Sequence, residues 1–229
     1  MTRRGLLLAG AASLLAARAG AAPLTGERMT LVPFVHAPFP YEGIVPRKDV
    51  PFLDAADGAR RGHVARDGAT YWQDVTYSDR RSLVFVPAGF DPDRPITLVV
   101  YFHGNFATLE RDVVGRQRLP AQVAASGLNA VLLAPQLAVD APDSSSGNFW
   151  TPGYFATYLD EASARIAEAL GLPSLAGKLA TAPVVIVAYS GGYNPAAYAV
   201  GVGGADDRIA GLILIDALYA EEDRIADWI

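Results

Sequence analysis

The stretch from Pro183 to Tyr198 reads PVVIVAYSGGYNPAAY and carries a serine at a place where a nucleophile could sit. An apolar run ends at Ser190, and Gly191 and Gly192 follow directly. The run predicts a buried strand and the segment behind the glycines predicts a helix, so Ser190 falls on a tight strand-to-helix turn. Because the first N–H groups of a helix lack backbone partners, the Gly191 N–H is a candidate donor to a negatively charged oxygen.

A second motif stands at the end of an earlier apolar run. The segment ITLVVYFHG predicts a strand buried on both faces, and it ends in His103 and Gly104 with Asn105 behind them. Open α/β folds bind ligands at the carboxyl ends of their parallel strands. We therefore expect this loop and Ser190 at the same edge of a sheet, although His103 may equally be interpreted as a residue that only caps a strand.

Taken together, the two motifs resemble the α/β-hydrolase family, whose signature G-x-S-x-G puts a nucleophilic serine on a strand-turn-helix. The matching residues here are 188–192, with Ala188 in place of the first glycine. The resemblance implies that Ser190 attacks the carbonyl of a carboxylic ester and that the reaction uses no cofactor. The alternative is an ordinary strand-to-helix turn in an unrelated doubly wound fold.

The same resemblance assigns the oxyanion hole. In this family an H-G pair at the end of the third strand opens the loop that supplies one of the two N–H donors. It implies that His103 and Gly104 shape the loop, and that the N–H of Asn105, or alternatively of Phe106, acts together with the Gly191 N–H.

Asp216 ends a further apolar run, IAGLILIDA at residues 209–217. A carboxylate in that position must be solvated or paired, because an unpaired buried charge is costly. Some family members take their triad acid after strand six, and Asp216 follows the sixth predicted strand, so the resemblance implies that it orients a histidine. An equally open interpretation is that Asp216 supports the turn by accepting hydrogen bonds from loop N–H groups.

The histidine of such a triad is not found where the family order, Ser then acid then His, would place it. The sequence has three histidines, and none follows His103. His36 and His63 would act only if the segment that carries them folds back over the carboxyl edge of the sheet. We therefore expect that the chain is incomplete at its C-terminus, with the general base and the last strands beyond Ile229.

Aromatic residues near these motifs predict a substrate pocket. Phe149 and Trp150 lie in the segment SSSGNFWTPGYF, and Tyr189 precedes the serine. Esterases resembling feruloyl esterases and polyhydroxybutyrate depolymerases carry a tryptophan-containing segment beside the substrate, so these side chains are candidates for an acyl or aryl pocket. Packing in the core is the alternative for Phe149 and Trp150.

The order of elements predicts the fold class. Four apolar runs, at 96–104, 129–136, 182–190 and 209–217, alternate with stretches of helical spacing such as 154–170. Strands buried on both faces and separated by helices predict a three-layer α/β/α sandwich with a mostly parallel sheet, the α/β-hydrolase fold without its last strands. Upstream, TYWQDVTY and RSLVFVPAGF predict two earlier strands joined as a hairpin.

The N-terminus has the composition of an export signal. Arg3 and Arg4 precede an apolar run that is too short to span a membrane, and small residues at Ala19 and Ala21 follow the A-x-A spacing of a cleavage site. We expect a signal peptide at residues 1–22, of the twin-arginine type if both arginines are read, and a periplasmic or secreted protein. An irregular lead-in at 23–68 and a hydrolase core at 69–229 would follow.

Composition narrows the partners. The net charge is −5 with both signs interspersed, and there are no cysteines, which argues against nucleic-acid binding and removes thiol nucleophiles. No ligand cluster suggests a metal, and no stable membrane span is expected once the signal is removed. A small-molecule or polymeric ester is the expected substrate. The alternative function is a hydrolase-fold protein that binds without catalysis, or an inactive fragment.

Overall fold

A computed structural model of the protein describes residues 22–229, so the predicted signal peptide lies outside the described residues apart from Ala22. A six-stranded sheet forms the centre, with the order β1-β2-β4-β3-β5-β6. Only β2 runs against the other five strands, because it pairs antiparallel with both β1 and β4. The strands are β1 (Arg28–Pro33), β2 (Arg81–Val86), β3 (Thr97–Phe102), β4 (Ala130–Pro135), β5 (Val184–Tyr189) and β6 (Ile209–Ile215).

Helices connect these strands and cover both faces of the sheet. The α-helices are α1 (Gln73–Thr76), α2 (Leu119–Ala125), α3 (Tyr154–Leu170), α4 (Leu175–Ala180), α5 (Tyr193–Val202) and α6 (Glu222–Trp228). A π-helical segment covers Leu109–Arg116, and 3₁₀ turns cover Gly147–Trp150 and Ser190–Gly192. The long amphipathic helix predicted at 154–170 coincides with α3.

Among the described residues the core has three clusters, one on each face of the sheet and a third that contains Phe52, Tyr77 and Trp150. On one face, apolar side chains of α3, α4 and α5 pack with strand residues such as Leu98, Val184 and Ile186. On the other face, α2 and the π-helical segment pack over residues such as Leu83, Leu132 and Tyr101. The predicted three-layer α/β/α sandwich with a mostly parallel sheet is thereby confirmed, and β4 is buried along its whole length.

The predicted hairpin is wrong. Thr70–Trp72 pairs with Arg60–Val64 in a separate three-stranded sheet and leads into α1, whereas Arg81–Val86 is strand β2 of the central sheet. Polar residues at Gln73 and Asp74 end the strand character that Tyr71 and Trp72 had suggested, and Asp74 lies in the first turn of α1, where a carboxylate favours a helix.

The segment 23–68, which shows no sustained period, contains more regular structure than its sequence indicates. Arg28–Pro33 is the edge strand β1, and short strands occur at Ile44–Val45, Val50–Pro51 and Ala55–Asp57 before Arg60–Val64. Strands of two to six residues at the edge of a fold are mostly exposed, so they give little hydrophobic alternation for a sequence pattern to detect.

The turn between β5 and α5 crosses very close to β3. A methyl group added at Gly192 would collide with the carbonyl of Phe102, whose carbon would lie 2.8 Å away. Both partners are backbone atoms of buried elements, so neither can move aside easily. The absence of a side chain at Gly192 therefore fixes how close the serine turn lies to the end of β3.

Substitution Gly192→Ala should destabilise the fold by about 2 kcal/mol or more, since it overpacks a backbone crossing. The matched control is Gly177→Ala in α4, where an added methyl meets nothing within 4 Å; this variant should gain about 0.5 to 1 kcal/mol from helix propensity. Urea unfolding of both variants would measure the difference. Equal urea midpoints for the two variants would contradict the close backbone approach at Gly192.

Candidate active site

Ser190 occupies a strained position at the carboxyl end of β5. Its φ is 48°, in the left-handed region that non-glycine residues rarely adopt. The 3₁₀ turn Ser190–Gly192 connects the strand to α5, and the serine side chain is half-buried. Strain of this kind persists only where the surroundings hold it, and it occurs often at functional sites.

The loop after β3 packs directly on this serine. A methyl group added at Gly104 would lie 2.9 Å from Ser190 Cβ and 3.2 Å from the Tyr189 carbonyl oxygen. At Gly191 an added methyl would collide with Asn105 Oδ1 and would lie 2.8 Å from Ser144 Oγ. The structure thus brings the two sequence motifs together, with Gly104 packed on Ser190 and the Asn105 side chain next to Gly191.

His103 is buried and holds this loop in place. Its Nε2 accepts from the Leu137 N–H at 2.9 Å and lies 2.9 Å from Gln136 Nε2, while Nδ1 lies 2.8 Å from the Gly104 carbonyl oxygen. Since a backbone N–H can only donate, Nε2 carries no proton and Nδ1 donates to Gly104. Burial lowers the pKa of His103 to about 4, so the imidazole is neutral and holds the loop.

The far side of the loop is held by backbone and ionic contacts. The Phe106 N–H donates to the Ala141 carbonyl at 2.9 Å, and Arg111 Nη2 donates to the Phe106 carbonyl at 2.5 Å. The Arg111 guanidinium also pairs with Asp112 and Asp140 at 2.7 and 2.6 Å. Because the Phe106 N–H is engaged, Asn105 is the better of the two predicted loop donors.

Sequence reasoning did not identify Arg111 as part of the site. Its partners, Phe106, Asp112 and Asp140, are scattered along the chain and follow no motif. Asp112 is buried, and although burial acts to raise its pKa, hydrogen bonds from Arg111 and the Thr108 N–H lower the pKa overall. The ion pair between Arg111 and Asp112 therefore remains charged at neutral pH.

Asp216 reaches Ser190 through a third residue. It directly follows β6, is exposed, and has a φ of 45°. The Tyr219 hydroxyl interacts with the side chains of Asp216 and Ser190, and the interaction with Asp216 raises the pKa of Tyr219. The Tyr219 ring also contacts Tyr193 edge-on, with centroids 5.9 Å apart. The only signal for Tyr219 in the sequence is its position three residues after Asp216.

The three histidines have other contacts. His36 Nδ1 lies 2.9 Å from Glu161 Oε2. His63 stacks on Phe52 with centroids 4.5 Å apart, and its buried Nδ1 lies 3.3 Å from Asp54 Oδ1 without the alignment of a hydrogen bond. Within residues 22–229, no hydrogen bond or ion pair connects a histidine to Ser190.

A cleft of about 490 Å³ opens beside the serine turn. One wall comes from the segment 45–66 and the opposite wall from residues 142–145 and the first turns of α5. The segment 23–68 therefore does fold over the carboxyl edge of the sheet. Ser144 connects the cleft to the oxyanion loop, since its Oγ donates to Asn105 Oδ1 at 3.1 Å.

The three predicted pocket residues lie in three different places: the core, the wall of the cleft and the exposed surface. Phe149 is fully buried among Phe102, Phe155 and Tyr158, so the structure corrects its placement from pocket wall to core. Trp150 lines the cleft, and its Nε1 donates to Asn194 Oδ1 at 3.1 Å. Tyr189 is 38% exposed and does not border the cleft.

No group of three or more His, Cys, Asp or Glu side chains in residues 22–229 could hold a metal ion. In the same residues no helix is long and apolar enough to cross a membrane.

A mostly parallel sheet, a strained serine between its fifth strand and the following helix, and a loop from β3 packed on that serine define the α/β-hydrolase fold. No family model and no curated protein matches the chain.

Several solved structures are similar to it at low identity. TT1662 from Thermus thermophilus is 21% identical over 58% of this chain and 51% of its own, with a TM-score of 0.30. A feruloyl esterase module from Clostridium thermocellum is 16% identical over 83% and 69%, with a TM-score of 0.38. An S-formylglutathione hydrolase from Agrobacterium tumefaciens is 15% identical over 70% and 59%, with a TM-score of 0.36. The chain spans about half to two thirds of the length of these structures.

The neutral state of His103 predicts a specific pH dependence of stability. Its pKa is lowered from 6.5 to about 4 in the folded protein, so its contribution is complete above pH 6.5 and is lost as the pH falls towards 4. Between pH 7 and pH 5 the wild type should lose about 2 kcal/mol more unfolding free energy than His103→Gln, which has no ring to titrate. Parallel urea titrations at both pH values measure this; identical losses in the two proteins would contradict it.

Proposed function

We propose that this protein is a serine hydrolase that cleaves carboxylic esters, with Ser190 as its nucleophile. The observation that carries the proposal is the strained serine, φ 48°, with Gly104 packed on its Cβ and the Gly191 backbone beside it. A plain strand-to-helix turn needs neither the left-handed serine nor the second loop seated on it. Strain together with two converging backbones supports an acyl-transfer site.

In the proposed reaction a general base takes the Ser190 Oγ proton as this oxygen forms a bond to the ester carbonyl carbon, and the carbonyl oxygen becomes an oxyanion. The N–H groups of Gly191 and Asn105 donate to that oxygen, each worth about 3 to 4 kcal/mol of transition-state stabilisation in a comparable site. The base then passes the proton to the departing alcohol oxygen. Collapse of the intermediate releases the alcohol and leaves an acyl group on Ser190. Water then releases the carboxylic acid and restores the serine.

Asp216 is proposed as the acid of the site. The Tyr219 hydroxyl interacts with both Asp216 and Ser190. This contact supports a position of Asp216 beside the nucleophile, where a carboxylate can stabilise the positive charge that forms on a general base. The three histidines have the partners described above, so the proposal assigns the base to none of them.

Export to the periplasm or the exterior is part of the proposal. It is supported by the pattern of residues 1–22, where two arginines precede a short apolar run and an A-x-A site. A substrate met outside the cytoplasm would be a small or polymeric ester supplied by the surroundings.

A second candidate function is binding without catalysis. The observation that favours it is the surroundings of Ser190, where Tyr219 interacts with the serine but no histidine among residues 22–229 does. A serine hydroxyl without an activating base is a weak nucleophile. The two candidates differ in whether Ser190 reacts.

A fluorophosphonate probe distinguishes them, because it phosphonylates only an activated serine. The full-length folded protein should gain one probe mass, located by peptide mass spectrometry at Ser190, and should hydrolyse 4-nitrophenyl acetate. Ser190→Ala should lose both the label and the hydrolysis. A folded wild type that takes no label would overturn the hydrolase and leave the binding protein.

The packing of Gly104 on the nucleophile predicts a further effect. Gly104→Ala would push on Ser190 Cβ, and a displacement of about 1 Å of a reacting atom costs roughly 100-fold in rate. We expect kcat for 4-nitrophenyl acetate to fall by about 10- to 100-fold with little change in KM. Gly211→Ala in β6, where an added methyl meets nothing within 4 Å, is the control. An unchanged kcat in Gly104→Ala would show that the loop does not set the serine position.

A further inference from the structure

The cleft beside Ser190 has walls in which cationic and anionic side chains alternate. Its volume of about 490 Å³ lies within the range of about 300 to 1,000 Å³ typical of small-molecule sites. The titratable side chains on its lining are Lys48, Asp54, His63, Arg66, Asp143 and Glu221.

Three aromatic side chains form the floor. Trp150 and Tyr198 are 8% and 4% exposed and meet nearly edge-on, with centroids 6.4 Å apart, and Tyr193 lies beside them. Asn194 fixes the tryptophan, because its Oδ1 accepts from Trp150 Nε1 and from Ser146 Oγ. Most of the Trp150 and Tyr198 surface is covered, the Tyr198 face by the Arg224 guanidinium at 4.2 Å from the ring centroid, so Tyr193 offers the larger aromatic surface to a ligand.

The carboxylates of the cleft are each held by the protein. Glu221 pairs with Arg47 and Arg224 at 3.3 and 2.8 Å. Asp143 accepts from the Tyr77 hydroxyl at 2.8 Å and from the Ser145 N–H at 2.9 Å. A carboxylate has about four acceptor positions, so both residues keep acceptor capacity for a ligand.

The cationic side chains of the cleft have fewer partners in the protein than its carboxylates. Lys48 and Arg66 are exposed, and within residues 22–229 neither belongs to an ion pair, in contrast to Arg47 next in sequence to Lys48. An ammonium and a guanidinium offer three and five N–H donors. The cleft consequently presents both spare donors and spare acceptors.

This distribution excludes several ligand classes. An anionic ligand would face three carboxylates, and a cationic ligand would face Lys48 and Arg66. An aliphatic chain would desolvate these groups and leave them without hydrogen bonds, at a cost of about 1 to 3 kcal/mol for each. A ligand with many hydroxyls avoids all three penalties, since each hydroxyl both donates and accepts and the C–H face of a sugar ring can pack on an aromatic floor.

We propose that the cleft binds a neutral carbohydrate and that the ester cleaved at Ser190 is carried on a sugar hydroxyl. The second of these claims, cleavage of a sugar ester at Ser190, rests on the proposed function. Ser144 supports it, because this residue lines the cleft and also donates to Asn105 of the oxyanion loop. Ser144 therefore puts one end of the cleft next to the Asn105 side chain and Gly191, so a sugar at that end lies close to the serine turn.

Binding can be tested separately from catalysis in Ser190→Ala by isothermal titration with cellobiose, xylobiose and maltose. At least one disaccharide should bind saturably, and 4-nitrobenzoate and hexanoate should not. Arg66→Ala should weaken the best disaccharide by about 10-fold, the size expected for loss of one charged hydrogen bond. Arg94→Ala, an exposed arginine before β3 at the opposite edge of the sheet, is the matched control and should bind like the parent.

Hydrolysis kinetics provide a second test of the proposal. The wild type should cleave an acetylated form of the best disaccharide with a lower KM than 4-nitrophenyl acetate, and Arg66→Ala should raise the first KM only. If no disaccharide binds, or if 4-nitrobenzoate or hexanoate binds instead, the carbohydrate proposal is overturned even where 4-nitrophenyl acetate is cleaved. If a disaccharide binds but neither ester is cleaved, the cleft assignment holds and the hydrolase proposal fails.

Discussion

The contact between Gly104 and Ser190 is the constraint on which the rest of the site depends. Two loops from different strands can supply donors to one oxygen only if their backbones come within a few ångströms of each other, and side chains would keep them apart. Glycines at 104, 191 and 192 allow that approach. The cost is a serine in a left-handed conformation, and the surrounding sheet must hold that strain. The buried β3 and β5, paired in parallel register, provide the rigid frame that does so.

A neutral buried histidine completes this arrangement from the other side. His103 donates to Gly104 and accepts from Leu137, so it connects the loop to the end of β4 through groups whose roles cannot be exchanged. A charged imidazole would have no acceptor for its second proton there, which is why burial and hydrogen bonding agree in keeping it neutral. Arg111 acts similarly at the far end of the loop, with a fixed charge that Asp112 and Asp140 balance.

How far the sequence alone could go is clear from particular residues. Runs of apolar residues located β3 to β6 and the period of 154–170 located α3, because buried strands and amphipathic helices leave strong local patterns. The contacts of Tyr219 and Arg111 could not be found this way, since they depend on segments that meet only in the folded chain. Phe149 was misplaced for a related reason: an aromatic residue near a site has the same local pattern whether it faces the cleft or the core.

The position of Asp216 changes how its two sequence interpretations are weighed. As an orienter it would hold an imidazole, and as a support it would accept from loop N–H groups, but the interaction that the structure gives it is with the Tyr219 hydroxyl, which also interacts with Ser190. Asp216 and Ser190 thus share one hydroxyl neighbour. Its left-handed backbone, φ 45°, matches that of Ser190, and both strained residues follow directly on neighbouring parallel strands, β6 and β5. The carboxyl edge of the sheet thus concentrates its strain at the two residues proposed as acid and nucleophile.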